Sequence, residues 1–471
     1  MKKYGSNSVR SLYYSLPSAG KNVLASAYGL NERRLRYRKT FRQTLSFLRE
    51  SQYWSNKQLL EYQQERLLRF LQDVIHKTPY YRADKVYADL LAANAPLDAF
   101  PILDKRTVRK ETKRFHHNDL PTMRCRWVST SGTTGSPLVS PVTVEQFQRE
   151  CAFRALAYEW AGISLTRRDR VAFCAGHPVA HASTDGPFWA YDWANKWLYF
   201  SSYHLAKQNL RHYIAELEKF RPVMLGGYPS SLYLLALAYE KFGGTLKLKA
   251  IFSSSETLFD WQREKIERAF GAKVFNYYGT GEMSANVAEC EAGELHLKLE
   301  HSAVEILNDR NEPCAPGETG RFVSTGLNNY AFPLIRYDVG DEVTISRNQV
   351  AQCGRGGLLL EKVVGFVDDY ILTPEGRVVG RLDHLIKDRI NIVEAQFYQE
   401  SPAELTCRIV KSEGYTDADE RAILKEARNR LGNTIKIQFD YVDRVPRTKN
   451  GKFRAMVSKI DQPGMIDDLI R

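Results

Sequence analysis

The chain has 471 residues, too many for one core, so two or three domains are expected. Its 43% hydrophobic and 26% charged residues are ordinary for a globular protein and exclude a disordered or fibrous chain. The net charge of +12 is lopsided: residues 1–50 hold 11 Lys/Arg against 2 Asp/Glu, leaving only +3 for the rest.

That basic segment, densest at Arg33, Arg34, Arg36, Arg38, Lys39 and Arg42, reads as a loosely ordered accessory extension. Its charge suits a solvated helix face better than a partner; if it has one, an anionic membrane surface fits. No nucleic-acid partner is expected, because no RNA-binding signature accompanies the patch. Seven dispersed cysteines without a CxxC pair suit a reducing compartment. The longest apolar run, Leu232 to Tyr239, is a core helix and not a membrane span. The reading is cytoplasmic, with peripheral membrane attachment through residues 1–50 as the variant.

Residues 57–76 carry Leu59, Leu60, Leu67, Phe70, Leu71, Val74 and Ile75 at helical spacing. A loop-rich stretch, 80–125, leads to Ser129-Thr-Ser-Gly-Thr-Thr-Gly-Ser-Pro137. Such a run cannot build a core, but it can wrap an anion. Gly132 and Gly135 permit sharp turns that aim N–H groups inward, and Thr130, Ser131, Thr133 and Thr134 add hydroxyls. It is not a Walker loop, since no Gly-Lys-Ser/Thr follows.

Helical and strand-like patterns then alternate. Helices are expected at 144–161, 204–219, Pro229 to Phe242 and 259–270. Strands are expected at Arg170–Cys174, Val223–Leu225, Ala250–Ser253 and Lys273–Tyr277. The alternation predicts a mostly parallel layered sheet, with ligands beyond the carboxyl ends of its strands. From about residue 300 the pattern turns antiparallel, and Leu334–Asp341 reads as a strand running into a turn. After 366 come a hairpin, a strand at Cys407–Val410, a helix at 417–431 started by Thr416 with Asp419 and stopped by Gly432, and a strand at Lys436–Val442.

Four further segments accompany the hydroxyl-rich loop: Tyr277-Tyr-Gly-Thr-Gly-Glu282, Arg336-Tyr-Asp-Val-Gly-Asp341, Gly365-Phe-Val-Asp-Asp369 and Pro446-Arg-Thr-Lys-Asn-Gly-Lys-Phe-Arg454. In this order and spacing the chain resembles the adenylate-forming superfamily of acyl-CoA synthetases, adenylation domains and luciferases. Gly227-Tyr-Pro-Ser-Ser231 and Ser253-Ser-Ser-Glu-Thr257 narrow the likeness to the phenylacetate-CoA ligase family, including relatives from capsular-polysaccharide loci. The resemblance spans residues 100–460.

The resemblance implies a basic extension (1–50), a large α/β N-terminal domain with a β subdomain (51–365) and a small mobile α+β C-terminal domain (366–471) that hinges at Asp368. It implies that a carboxylate attacks Mg-ATP to give an acyl-adenylate, and that a thiol or amine then displaces AMP. CoA, a carrier-protein thiol or a sugar amine all fit as acceptor. ATP and Mg²⁺ are the implied cofactors. Thr130 to Gly135 would hold phosphates, and Ser255, Glu256, Tyr277, Tyr278 and Gly279 would surround the nucleotide. Thr280 would reach phosphate, Glu282 would hold Mg²⁺ and Asp341 would accept the ribose hydroxyls. Lys452 would bridge the reacting anions. The acyl pocket would draw on His177, Tyr228, Ser230 and Ser254, beside His181, Phe188 and Trp189, and suit a small acid. Arg336 would meet a phosphate or a structural carboxylate.

Three departures stand out. Leu138 and Val139 follow Pro137 where the family often continues to a lysine. Phe366 occupies the usual Arg position of the hinge motif, and Arg355 is the candidate replacement. That loss motivates an alternative, a nucleotide-binding sensor or scaffold. Some relatives hold zinc through Cys-x5-His and a later Cys-x-Cys. Here Cys290, His296 and Cys353 remain but one ligand is missing, with Cys314 or His301 as substitutes. Reduced thiols without metal are the expectation.

Overall fold

The computed structural model describes residues 13–129, 138–177, 179–181, 184–365, 369–380, 382–386, 391–446 and 454–460. The hydroxyl-rich residues 130–137, the hinge residues Phe366 and Asp368, and Lys452 lie outside these.

The N-terminal segment departs from expectation. Residues Ser18–Arg36 and Lys39–Ser51 are helices. Phe41, Leu45 and Leu48 recur at helical spacing and are buried against Phe153, Leu156 and Trp160 of the Val144–Trp160 helix. Part of the basic charge is engaged by partners within the chain. Arg49 grips Glu159 with two hydrogen bonds of 2.9 and 2.6 Å, Arg36 and Arg126 share Glu32, and Arg33 reaches the carbonyls of Leu165 and Thr166. The helical reading of the patch holds, and nothing in the fold favours a membrane contact. Among the described residues, no helix is long and apolar enough to cross a membrane.

The parallel α/β region and the antiparallel region form one twelve-stranded mixed sheet. Five strands are mutually parallel: Val274–Gly279, Ala250–Ser254, Met224–Gly227, Val171–Ala175 and Trp197–Ser201. Helices Lys207–Phe220, Pro229–Phe242 and Asp260–Phe270 return the chain between them, as parallel pairing requires. The Pro229–Phe242 helix, apolar almost all round, is buried from Pro229 to Tyr239. Trp189–Asp192 closes one edge antiparallel. Beyond Val274–Gly279 the pairing is antiparallel through Asn286–Glu289, Leu295–Leu297, Leu358–Val364, Tyr337–Ile345, Thr319–Gly326 and Ser302–Leu307. The mostly parallel character therefore belongs to half the sheet.

The strand expected at Leu334–Asp341 begins only at Tyr337 and runs through Asp341 to Ile345. Arg336 interrupts it with a left-handed φ of +50°. Cys125–Ser129 and Val139–Thr143 form an antiparallel hairpin that brings Ser129 opposite Val139 at the two ends of the hydroxyl-rich loop.

The C-terminal unit is a four-stranded sheet ordered Lys436–Tyr441, Glu404–Lys411, Ile392–Ser401 and Met456–Ser458. The helix Asp417–Leu431 covers it, started by a Thr416–Asp419 capping box. Ile392–Ser401 and Met456–Ser458 were not anticipated. Their own core includes Phe397, Leu405, Cys407, Ile409 and Ile423. A ribbon of Ile371–Leu372 and Val378–Val379 docks this unit on the larger one, with Arg377 donating to the Tyr203 carbonyl (3.1 Å) and Val378 N–H to that of Leu205 (3.2 Å).

Candidate active site

The predicted site residues follow the carboxyl ends of successive parallel strands. His177 follows Val171–Ala175, and Tyr228 and Ser230 follow Met224–Gly227. Ser254 ends Ala250–Ser254, with Ser255 and Glu256 next, and Tyr277 to Glu282 close and follow Val274–Gly279. This is where open α/β sheets bind ligands. The strands approach closely here: a Cβ on Gly227 would sit 2.3 Å from the Cys174 carbonyl oxygen, so only glycine fits.

Two carboxylates anchor the cleft. The Tyr278 hydroxyl donates to Asp341 Oδ2 at 2.6 Å. The Tyr337 hydroxyl donates to Glu282 Oε1 at 3.0 Å, and Lys105 Nζ stands 3.7 Å from the same oxygen. Glu282 is only 4% exposed, and the Arg109 charge acts on it as well. Burial raises the Asp341 carboxyl to about 6, opposed by the Tyr278 hydrogen bond and the Lys105 charge and aided by Glu282. Thr280 Oγ1 accepts from the Ser284 N–H (2.8 Å), which shapes the turn that delivers Glu282.

Lys105 and Tyr337 were not singled out from sequence. The 101–105 segment reads as loop, yet Leu103 N–H donates to the Arg336 carbonyl and Asp338 N–H to the Leu103 carbonyl, both at 2.9 Å, which carries Lys105 to the cleft. Tyr337 lay inside a quoted motif, where strand alternation was its only signal.

Tyr277 points away from Asp341. It is buried, accepts from Asn286 Nδ2 at 2.6 Å and lies under Arg154, so it supports the core and not the nucleotide. Successive strand residues face opposite sides, and Tyr278 takes the cleft side. Arg355 is likewise committed elsewhere. Its guanidinium binds Glu291 (2.8 and 2.9 Å) and Gln52 (3.0 Å) and covers Trp160 at 4.5 Å, contacts that do not involve the other candidate nucleotide residues. Arg336 meets a structural carboxylate, Glu305, through two hydrogen bonds of 2.8 and 2.7 Å.

In the expected acyl pocket, Ser230 N–H donates to Glu256 Oε2 at 3.3 Å. Ser255 takes a left-handed φ of +72°. Tyr370, just past the hinge segment, reaches the side chains of Ser230 and Gln262, and burial pushes its hydroxyl well up. Phe188 is core, stacked on His204 at 5.0 Å, whereas His177 is exposed beside Tyr199. His181 instead reaches Asn429 of the C-terminal helix at 3.2 Å. Arg454, at the described end of the Lys452 segment, pairs with Asp369.

A second cluster suits a metal. Ligand atoms of Cys290, Glu294, His296 and Cys353 lie within 4.8 Å of one another. Cys353 Sγ is 3.4 Å from His296 Nε2, and Cys290 Sγ is 3.7 Å from Glu294. His296 Nδ1 faces the Gly356 carbonyl at 3.4 Å, which favours Nε2 as ligand. Two thiols, an imidazole and a carboxylate so placed could hold a metal ion, and thiolate with imidazole ligands suits zinc; the Glu294 carboxylate also accepts from the Gln352 N–H (2.9 and 3.1 Å). The expected substitutes are elsewhere: His301 pairs with Glu150 at 2.6 Å, and Cys314 packs beside Gly320. Glu294, two residues before His296, is the fourth donor that sequence reasoning missed.

Residues 371–459 match the family model "CapK C-terminal domain". Over 465 residues the chain is 25% identical to Protein CapK of Staphylococcus aureus, covering 95% of this chain and 99% of the relative. It is 23% identical over 436 residues to a phenylacetate-coenzyme A ligase of Thermus thermophilus, covering 84% and 95%. Among solved structures, 2-hydroxyisobutyryl-CoA ligase with 2-HIB-AMP and CoA in the thioesterification state gives a TM-score of 0.53 at 18% identity, covering 99% and 96%. The same ligase in the postadenylation state gives 0.51 at 19% identity, covering 88% and 92%. The structural likeness is one of fold.

Proposed function

We propose that this member of the adenylate-forming superfamily, related to CapK and the phenylacetate-coenzyme A ligases, is an ATP-dependent carboxylate-activating ligase. The observation that carries the reading is the pairing of Asp341–Tyr278 and Glu282–Tyr337, with Lys105 beside Glu282, where parallel strands end.

In this reading Asp341 accepts the two ribose hydroxyls. Tyr278 holds its carboxylate at 2.6 Å, so it is oriented before the nucleotide arrives. Glu282 would hold Mg²⁺, a hard cation that prefers carboxylate ligands, and that ion would neutralise phosphate charge when bound. Lys105 offsets the repulsion between the two carboxylates while the site is empty. Thr130 to Gly135, presented between the paired strands that end at Ser129 and begin at Val139, would wrap the β- and γ-phosphates. Lys452 would stabilise the approach of the substrate carboxylate to the α-phosphate, with pyrophosphate leaving. A thiol or amine then attacks the acyl carbon and AMP departs.

The acyl group would occupy the space near Tyr228, Ser230 and Ser254. Tyr370 enters this group from beyond the hinge segment, so movement of the small domain about Asp368 would reshape the pocket between half-reactions. Carboxylate-dependent ATP–pyrophosphate exchange over a panel of small acids tests the reading. Exchange that requires one class of acid and collapses in Lys452→Ala supports it; ATP binding with no exchange for any acid refutes it in favour of a sensor.

A further inference from the structure

Away from this cleft, a cavity of about 200 Å³ lies where the helices Lys39–Ser51, Asn56–Lys77 and Val144–Trp160 meet. Its wall includes Gln43, Thr44, Tyr62, Arg66, Arg149 and Asn328, and none of these is a candidate adenylation residue.

The charge balance of this wall is unusual. Arg66 spends one terminal nitrogen on the Leu327 carbonyl (3.1 Å) and Asn328 Oδ1 (3.0 Å). Arg149 is half-buried and has no hydrogen bond or ion pair among the described residues. Burial and the Arg66 charge both push its guanidinium down from its ordinary value. The Glu145 charge and the Tyr62 and Tyr330 hydroxyls oppose that shift without a hydrogen bond or ion pair to the guanidinium among the described residues. Glu145, one turn earlier, forms no ion pair among the described residues. Glu150 is taken by His301 (2.6 Å) and Gln146 (2.8 Å). Glu300, also on the wall, accepts from Ser51 Oγ at 2.7 Å and has Lys298 beside it.

The side chains of Gln43, Thr44 and Tyr62 have no hydrogen-bond partner among the described residues either. The pocket thus gathers two guanidiniums and several polar side chains around one space, with the Glu300 carboxylate engaged by Ser51. An uncompensated buried charge is costly, and the guanidinium fork matches a carboxylate or phosphate group.

We infer that this pocket binds a small oxyanion, a carboxylate or phosphate group clamped by Arg149 and Arg66, at a site separate from the adenylation cleft. The site has a route to catalysis. Arg149 sits on the helix that Thr143 caps (3.0 Å to Gln146 N–H), and Thr143 ends the strand that leaves the hydroxyl-rich loop. An occupied pocket would brace that helix.

The test is calorimetric titration of the full chain with inorganic phosphate and, separately, acetate. Wild type, Arg149→Gln and Lys452→Ala are compared. Saturable binding of either anion that weakens at least tenfold in Arg149→Gln and survives in Lys452→Ala supports the inference. The Arg149→Gln protein should also melt higher than wild type in anion-free buffer, because it loses an unpaired charge. Equal binding in wild type and Arg149→Gln, binding lost only in Lys452→Ala, or no binding of either anion overturns it. If Arg149→Gln fails to fold, Gln43→Ala with Thr44→Val replaces it, with the same tenfold weakening expected.

Discussion

Asp341→Asn separates function from stability. Burial raises this carboxyl from 3.8 to about 6. Its ionisation is therefore about 3 kcal/mol costlier in the folded protein than in the unfolded chain. Part of the residue is solvent-accessible, so screening reduces the figure to about 1–2 kcal/mol. The sign follows from the direction: a carboxyl raised by folding favours the native state while protonated. That contribution is complete below 3.8 and is lost as the pH rises through about 6, so at pH 7 the native protein carries the cost. Asparagine cannot ionise and can still accept from Tyr278, so Asp341→Asn should raise the melting temperature by roughly 1–3 °C at pH 7. The gain should vanish near pH 4. The same variant should bind ATP at least tenfold more weakly, because a neutral amide accepts ribose hydroxyls less strongly. In wild type, ATP affinity should fall as the pH drops below about 6, and in Asp341→Asn that limb should be absent. Scanning calorimetry and ATP titration across pH 4–8 provide the assay. A variant that melts lower at pH 7, or binds ATP as wild type does, would refute the reasoning.

Lys452→Ala should cut pyrophosphate exchange by about 10²–10³-fold while leaving ATP affinity within a few-fold, as expected for charge stabilisation confined to the transition state. Tyr337→Phe removes a 3.0 Å hydrogen bond to Glu282 and should raise the Mg²⁺ concentration needed for half-maximal exchange; an unchanged Mg²⁺ curve would count against Glu282 as ligand. The purified protein should carry about one zinc per chain by elemental analysis, lost in Cys353→Ala and reduced in Glu294→Ala, with a lower melting temperature after chelation. Arg336→Ala strands the Glu305 carboxylate and the Asp98 and Phe100 carbonyls, and should destabilise by about 3 kcal/mol in urea unfolding without altering the nucleotide's own contacts.

What the chain determines locally could be read from it. The helix at Pro229–Phe242 is uniformly apolar and bounded by Pro and Gly, and the structure keeps those ends. Thr416 and Asp419 sit three residues apart, and their capping box forms where the pattern places it. The motif order was enough to draw the resemblance to the adenylate-forming superfamily, and the chain's similarity to CapK and to phenylacetate-coenzyme A ligases agrees with it. Long-range pairing was not legible. Arg336 leaves the strand because Glu305, 31 residues away, holds its guanidinium. Lys105 reaches the cleft because Leu103 pairs beside Tyr337, and Tyr370 because a ribbon docks on Tyr203 and Leu205. Glu294 carries no metal signature until Cys353 folds back onto the 290–296 hairpin. Arg355 looked free to serve a nucleotide, yet its partners Gln52 and Glu291 lie 303 and 64 residues away. Periodicity and capping depend on neighbours a few residues apart, so they survive in the sequence. Which charge meets which is settled only when distant segments are packed, because burial then requires each polar group to find a partner.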